Sequence, residues 1–425
     1  MSLPREVEYR VSSLPAEVST SAYVSRAVNG SSFTTGQQVQ VNLIQNRGTY
    51  LIPSSMYATF SINVTADGAD TNVLLGLPGV SVIERSDVFA NSTSIDTINN
   101  YNGIVNMLYN GKLGVSEKMG LSKCLGTTFT EDAANQVDSR VVTAASGANI
   151  ISVAVPLCNI LTLMDKLLPL DSAEYRVYLT VADILNISCK SDGAASTLSL
   201  FSLSDFQIHY KAVTFDSATD MMIKSQVQPD GAIYFKSESY QSSVANLPTG
   251  SSGSVALPFA NSLTSVKSLQ TQFCRADRFK VGCGASYDPQ FTQFNYEVGG
   301  KNYPQTALSS TAVAGVTLEF LESIHGIMSH PDAAQTSLSV NNWRELNAAF
   351  NADSYKDLPK AYFGYNSEKL PSSTALNGIS SQNSNIVTRL SIGTATTATA
   401  TVLQIFHHDC ILKYDPLANS LVVMR

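Results

Sequence analysis

The sequence predicts a mainly β chain: two tandem eight-stranded jelly-roll β-sandwiches with a few short inserted helices. Three observations predict it. Period-2 alternation of apolar and polar residues dominates the 425 residues. The two halves repeat one order of elements. Charged residues make up only 14%, against roughly 25% in average soluble chains, and Ser, Thr, Asn and Gln fill the gap. That composition excludes a disordered polyelectrolyte, a coiled coil and a charge-rich helical bundle.

The strands follow from alternation. Val39, Val41 and Leu43 share one face of the first. In 56–64, Met56, Ala58, Phe60, Ile62 and Val64 face one side while Tyr57, Thr59, Ser61 and Asn63 face the other. Ile151, Val153, Val155 and Leu157 alternate next, then Tyr175, Val177, Leu179 and Val181, then Phe206, Ile208 and Tyr210. Later come Val255, Leu257 and Phe259, and after them Ile386, Leu390 and Ile392. The stretch 402–414 alternates but slips near Asp409, which predicts a bulge. Such strands are half-buried, with one face in a core.

Four helices are predicted. The first spans 94–109, with Thr93-x-x-Asp96 as a capping box and Ile95, Ile98, Val105 and Leu108 as its apolar stripe. A second lies near 217–226. A third covers about 313–328, through Val316, Phe320, Ile324 and Ile327. A short fourth starts near Asn342, with Trp343 (a core residue), Leu346 and Phe350. Pro229-Asp230-Gly231 is a turn signal and marks the boundary between halves. The domains are then an N-terminal arm, 1–30, a first roll, 31–228, and a second roll, 229–425. Strand 37–44 corresponds to 252–259, helix 94–109 to 313–328 and strand 174–182 to 385–393. FQIHYKAVTFD at 206–216 corresponds to LQIFHHDCILKYD at 403–415. The offsets drift, so the architecture is duplicated and the sequence is not.

Chemistry is sparse. No G-x-S-x-G, Walker A or G-x-G-x-x-G occurs; GSSGS at 250–254 reads as a loop leading into a strand, and GCGAS at 282–286 lacks the later glycine. Of five histidines, His407 and His408 adjoin Asp409 and Cys410, but strand neighbours point to opposite faces and cannot share one ion, so one histidine points in and one out. His325 and His330 are poorly spaced for pairing on a helix. His209 stands alone. Glu84, Asp87, Glu297, Glu319 and Glu322 are the carboxylates from which a glycosidase pair would have to come. No catalytic, cofactor or metal residue is assigned, and no enzyme activity or cofactor is expected. The six cysteines (Cys124, Cys158, Cys189, Cys274, Cys283, Cys410) are scattered and read as mostly buried, reduced thiols from a reducing cytosol. The sequons at Asn29, Asn63, Asn91 and Asn186 are expected by chance. The start lacks the apolar core of a secretory signal, and 148–170 is broken by Pro156, Asp165 and Lys166, so no membrane span is expected. Net charge is −7, and within residues 1–26 Arg5, Arg10 and Arg26 face Glu6, Glu8 and Glu17. That balance predicts no basic genome-binding arm and no sequence-specific nucleic-acid binding.

Four phrases carry a resemblance: TYLIPSSMYATFSINV at 49–64, SDVFANSTSIDTINNYNGIVNMLYN at 86–110, VPLCNILTLMDKLLPLDSAEYRVYLTV at 155–181 and FNYEVGGKNYPQTALSSTAVAGVTLEFLESIHG at 294–326. In this order, with the duplication and the length, the chain resembles the double jelly-roll major capsid proteins of tectivirus-, corticovirus- and virophage-like shells. The resemblance covers about 35–415 and transfers fold and role, not individual residues. It implies a virion protein, made in the host cytoplasm, that assembles as a homotrimer. Three copies present six blocks, a pseudo-hexagonal tile for an icosahedral capsid. Its partners are then neighbouring capsomers, vertex (penton) and minor capsid proteins, and an internal lipid membrane that Arg5, Arg10 and Arg26 would reach if the arm does not order on neighbouring subunits. The long spans 110–147 and 275–312 are expected as loops forming towers or clamps. The alternatives are a single jelly-roll capsid protein with a projecting domain, a carbohydrate-binding phage spike or adhesin, and a glycosidase.

Overall fold

The structure is a computed structural model that describes residues 18–66, 71–127, 141–143, 149–190, 196–225, 229–275, 286–325, 338, 360–369, 376–416 and 420–424. In chain order the first half opens with β1 (Val18–Arg26), β2 (Ser32–Phe33), β3 (Gln38–Asn42), β4 (Thr49–Leu51), β5 (Tyr57–Ala66), β6 (Thr71–Leu74), α1 (Pro78–Ser81), β7 (Ile83–Ala90) and β8 (Thr93–Ile98). It continues through α2 (Tyr101–Lys112), α3 (Val115–Leu125), β9 (Val141–Thr143), β10 (Asn149–Pro156), β11 (Leu168–Pro169), β12 (Tyr175–Val181), α4 (Ile184–Ile187), β13 (Ser188–Lys190), β14 (Leu198–Phe215) and α5 (Ser217–Lys224). The second half holds β15 (Ile233–Leu247), β16 (Gly253–Phe259), β17 (Val266–Arg275), β18 (Phe291–Val298), β19 (Lys301–Ser309), α6 (Val313–His325), β20 (Phe363–Asn366), β21 (Ile386–Ile392), β22 (Ala400–Asp415) and β23 (Ser420–Met424).

Eight strands of the first half form two antiparallel layers, β1-β14-β5-β10 and β3-β12-β7-β8. Eight strands of the second half repeat the pattern as β15-β22-β17-β20 and β16-β21-β18-β19. In each octet the first strand pairs with the eighth, the eighth with the third and the third with the sixth. The second pairs with the seventh, the seventh with the fourth and the fourth with the fifth. That Greek-key order is a jelly roll, present twice. A single roll with a projecting domain would show it once.

Alternation fills each sandwich. Met56, Ala58, Phe60, Ile62 and Val64 are all buried, as are Tyr175, Val177, Leu179 and Val181. Phe60 of β5 stacks on Phe206 of β14 with ring centroids 5.0 Å apart. In the second roll Phe363 meets Phe273, Phe291 and Phe294. That core also holds a buried polar bolt between its layers. Gln404 Oε1 accepts hydrogen bonds from Thr271 (2.7 Å) and Thr388 (2.9 Å), and Thr271 also meets the Tyr296 hydroxyl at 2.8 Å. Being fully paired, these groups avoid the desolvation cost of a lone buried polar atom.

Several expectations are corrected. Thr93–Ile98 is strand β8, antiparallel to β7, and the helix begins only at Tyr101. Asn100, in the left-handed region at φ 51°, makes the turn between them. The stretch 93–98 also carries period 2, and the strand-pairing partner on β7 decided the outcome. Within the span 275–312, expected as a loop, β18 and β19 form a hairpin, turned by Gly299 and Gly300, both at positive φ. The span 110–147 contains α3 and β9. The irregularity near Asp409 is not in β22, which pairs without a shift along all of β15. It lies in β17, between Val266 and Ser268, opposite His408 and His407. Helices α5 and α6 form where predicted. The helix at Asn342 with Trp343, together with Arg5, Arg10, His330 and Cys283, falls outside the described residues.

Candidate functional site

The residues that act here are those that join one roll to another. The first eight-stranded unit presents β8, the turn after it, the 158–165 segment and α2. The second presents one edge of β15. Buried Asp96 on β8 is the hub. Its Oδ2 accepts from the Ile160 backbone N–H at 2.9 Å, and its Oδ1 from the Ser239 hydroxyl at 2.6 Å and the Thr97 N–H at 3.1 Å. Ser237 donates to the Ile160 carbonyl (2.6 Å) and Ser242 to the Asn99 carbonyl (2.9 Å). The Asp165 N–H donates to the Lys236 carbonyl at 3.3 Å, so backbone as well as side chains close this edge. Asp96 is thus no helix cap; it is a bracket between rolls.

Apolar packing completes the seam. Phe235 and Tyr240 of β15, Leu403 and Ile405 of β22, and Phe320, Leu321 and Ile324 of α6 are buried in the same cluster as the first roll's core. Burying one such side chain contributes about 1.5–3 kcal/mol. Helices α2 and α6 meet at Gly111, where a Cβ would lie 2.5 Å from Ile324 Cδ1. Beside them Lys118 donates to Asn110 Oδ1 (2.8 Å), and Asn110 Nδ2 donates to the Tyr362 hydroxyl (3.0 Å). Burial, and then the charge of Lys360, pushes the Lys118 ammonium down to about 7.

The residues of the histidine cluster find separate partners. His407 stacks on Tyr240 at 4.6 Å and meets Glu238 through Nε2 at 2.9 Å; His408 is fully buried. The two side chains lie on opposite faces of β22: His408 is on the core face beside Val266, and His407, half-buried, is on the other with Tyr240. Asp409 pairs with Lys236 (3.3 Å) and accepts from Ser265 (2.7 Å). Lys267, at the β17 irregularity, bridges Glu238 and Glu368. Burial opposes ionisation of Glu238, but hydrogen bonding and charge from His407 and Lys267 outweigh it and hold the carboxyl well below the usual range.

The other sequence candidates are dispersed. Asp87 on β7 is held by Arg85, and Glu297 on β18 by Arg389. Glu84 is exposed on β7, while Glu319 and Glu322 sit on α6. His209 stacks on Tyr57 and bonds Thr59. Among the described residues no group of three or more His, Cys, Asp or Glu converges as a metal site, and no helix is long and apolar enough to cross a membrane. Among the described residues no cysteine forms a disulfide: Cys189, Cys274 and Cys410 are buried, Cys158 is half-buried and Cys124 exposed. Burial pushes the Cys158 thiol up to about 12. Arg26 ends β1, exposed.

No family model and no curated protein matches this sequence. Solved structures do. The quasi-atomic model of the PBCV-1 virus capsid is similar over 98% of this chain and 99% of that chain, at 11% identity and a TM-score of 0.63. The Faustovirus major capsid protein is similar over 96% and 92%, at 8% identity and a TM-score of 0.61. The Sputnik virophage structure is similar over 100% and 92%, at 11% identity and a TM-score of 0.55. At these identities the likeness is one of fold: this chain has the double jelly-roll fold found in viral major capsid proteins.

Proposed function

We propose that this protein is a viral major capsid protein that self-assembles as pseudo-hexagonal homotrimers into an icosahedral shell. The observation that carries this reading is mutual coverage. This chain and the PBCV-1 capsid chain match over 98% and 99% of their lengths, so both consist almost wholly of the same two rolls. Fold alone is compatible with many activities. A whole-chain match leaves little besides the rolls to carry one, and no catalysis or cofactor is proposed. The domain reading is an arm, 1–30, and rolls at 31–228 and 229–425. It is supported by strand pairing: among the described residues, no strand before Pro229 pairs with one after it.

The trimer is supported by the seam. It joins unlike surfaces, and a repeated heterologous contact generates a ring or a filament. Three copies supply the six rolls of a hexagonal tile. The protein is made in the host cytoplasm and resides in the virion. Its partners are itself, vertex and minor capsid proteins, and an internal lipid membrane, with no sequence-specific nucleic-acid contact. Light scattering behind gel filtration tests the tile. A mass near three times 45.5 kDa, stable to dilution, is the expected result. A monomer at every concentration would overturn it. For the membrane, virion density should change on lipid extraction; an unchanged density refutes that part.

A further inference from the structure

Between α2 and α3 the chain turns back through Leu113 and Gly114, and the first turn of α3 comes against the last turn of α2. That return brings the Lys118 amine to the Asn110 carboxamide, Nζ to Oδ1 at 2.8 Å. The other end of the same carboxamide is held from the second roll. Asn110 Nδ2 donates to the hydroxyl of Tyr362 at 3.0 Å, and that side chain is fully buried. An amine and a carboxamide are thus held together, with a hydroxyl on the nitrogen that would have to leave.

The surroundings suit the amine as a nucleophile. Among the described residues no carboxylate pairs with Lys118. Its neighbour Glu117 is turned back onto the Gly114 N–H at 3.0 Å. The charge that does act on Lys118 is that of Lys360, of the same sign. Burial and that like charge bring its pKa down to about 7, so near neutral pH much of the population carries the neutral amine. Desolvation beside another cation activates a lysine for attack. Holding the two groups in contact removes the entropic cost of a bimolecular encounter.

We propose that Lys118 and Asn110 join in an isopeptide bond, a covalent tie between α2 and α3 that the folded protein makes itself. Lys118 first gives a proton to water. Its Nζ lone pair then attacks Asn110 Cγ, and the carbonyl electron pair moves onto Oδ1, where the charge of Lys360 favours it. As that pair returns, the Cγ–Nδ2 bond breaks, and a proton from Nζ reaches Nδ2 by way of the Tyr362 hydroxyl. The products are an Nζ–Cγ amide and ammonia, which takes up the proton first lost to water. Unlike a disulfide, the bond needs no oxidising compartment. It is also independent of assembly, since a monomeric chain would form it as well.

The test is tryptic digestion and mass spectrometry of the full-length chain, incubated folded at neutral pH. Peptides Ser86–Lys112 and Leu113–Lys123 should appear as one branched fragment, uncut after Lys118. Its mass should fall about 17 Da below their sum, through loss of ammonia. Lys118→Arg and Asn110→Ala should each abolish the fragment. Tyr362→Phe, with native circular dichroism, should slow its appearance roughly tenfold or more. Separate wild-type peptides of full sequence mass would overturn the proposal without any variant having to fold. A deficit confined to Ser86–Lys112 and retained in K118R would mark ring closure of Asn110 onto the Gly111 N–H, and would overturn it too. An unchanged rate in Y362F would remove the hydroxyl from the mechanism.

Discussion

β1 and β15 occupy the same place in their rolls and live in different surroundings. Each pairs antiparallel with the eighth strand of its octet, Val18 opposite Phe215 and Ile233 opposite Tyr414. The far edge of β15 is closed by the other roll through Ser237, Ser239, Ser242 and the Lys236 carbonyl. The far edge of β1 has no such partner among the described residues. Their burial follows that difference. β15 directs Ser237, Ser239 and Ser242 to fixed acceptors in the same chain, whereas β1 leaves Val18, Ser19, Thr20, Ala22, Val24 and Arg26 exposed. The pair teaches that one architecture can hold the same strand closed in one roll and open in the other.

The sharpest way to break this comparison is at the hub of the covered edge. Asp96→Ala removes the acceptor of three donors in a buried site, leaving the Ser239 hydroxyl and the Ile160 N–H unpaired. The expected loss is about 3 kcal/mol or more, read by denaturant unfolding at pH 7. A loss below about 1 kcal/mol would mean water replaces the carboxylate and the edge is less closed than described. Next in size is Gly111→Val, which drives a side chain into Ile324 where α2 crosses α6. Overpacking of this kind costs about 1–3 kcal/mol. Pairing it with Ile324→Ala should recover part of the loss, because the cavity accepts the added volume.

The strands of both rolls were legible because burial of one face imposes period 2, and Met56–Val64 and Tyr175–Val181 obey it without exception. Helix α6 was legible from Val316, Phe320 and Ile324. The Thr93–Asp96 pair was misleading. Residues 93–98 satisfy a capping box and a strand equally well, and only the register with Ser86–Ala90 on β7 decides between them. The hairpin β18–β19 did carry its signal, the Gly299-Gly300 turn, inside a span expected as one long loop. The seam was not legible at all. Ser239 and Asp96 are 143 residues apart in sequence, and a serine on an alternating strand looks the same whether it faces water or a carboxylate. Only the fold brings them together.

The acidic network behind β15 gives a pH-dependent measure of the same edge. Glu238 has its pKa held below the unfolded value of 4.5 by His407 and Lys267. With the folded pKa depressed, the unfolded chain binds more protons in the acid range. This group's stabilisation is therefore full above about 4.5 and is lost as pH falls toward the folded pKa. Glu238→Gln should cost about 1–2 kcal/mol at pH 7 and flatten the decline in stability below pH 4.5. An unchanged acid limb in the variant would assign that decline to other carboxylates.

The smallest effect is expected at the open edge, and its smallness is the point. Val24→Thr keeps the shape and the β propensity of the residue and adds a hydroxyl that water can satisfy. In the isolated subunit it should change unfolding free energy by less than about 0.5 kcal/mol. If the proposed assembly covers this edge with another copy, the same hydroxyl enters an interface with no acceptor provided for it, and association should weaken. Measured side by side, the two values separate a strand exposed by design for another copy from one that is merely exposed. If folding and association both ignore the change, Val24 lies outside the contact, and the likeness between β1 and β15 ends at their pairing within the sheet.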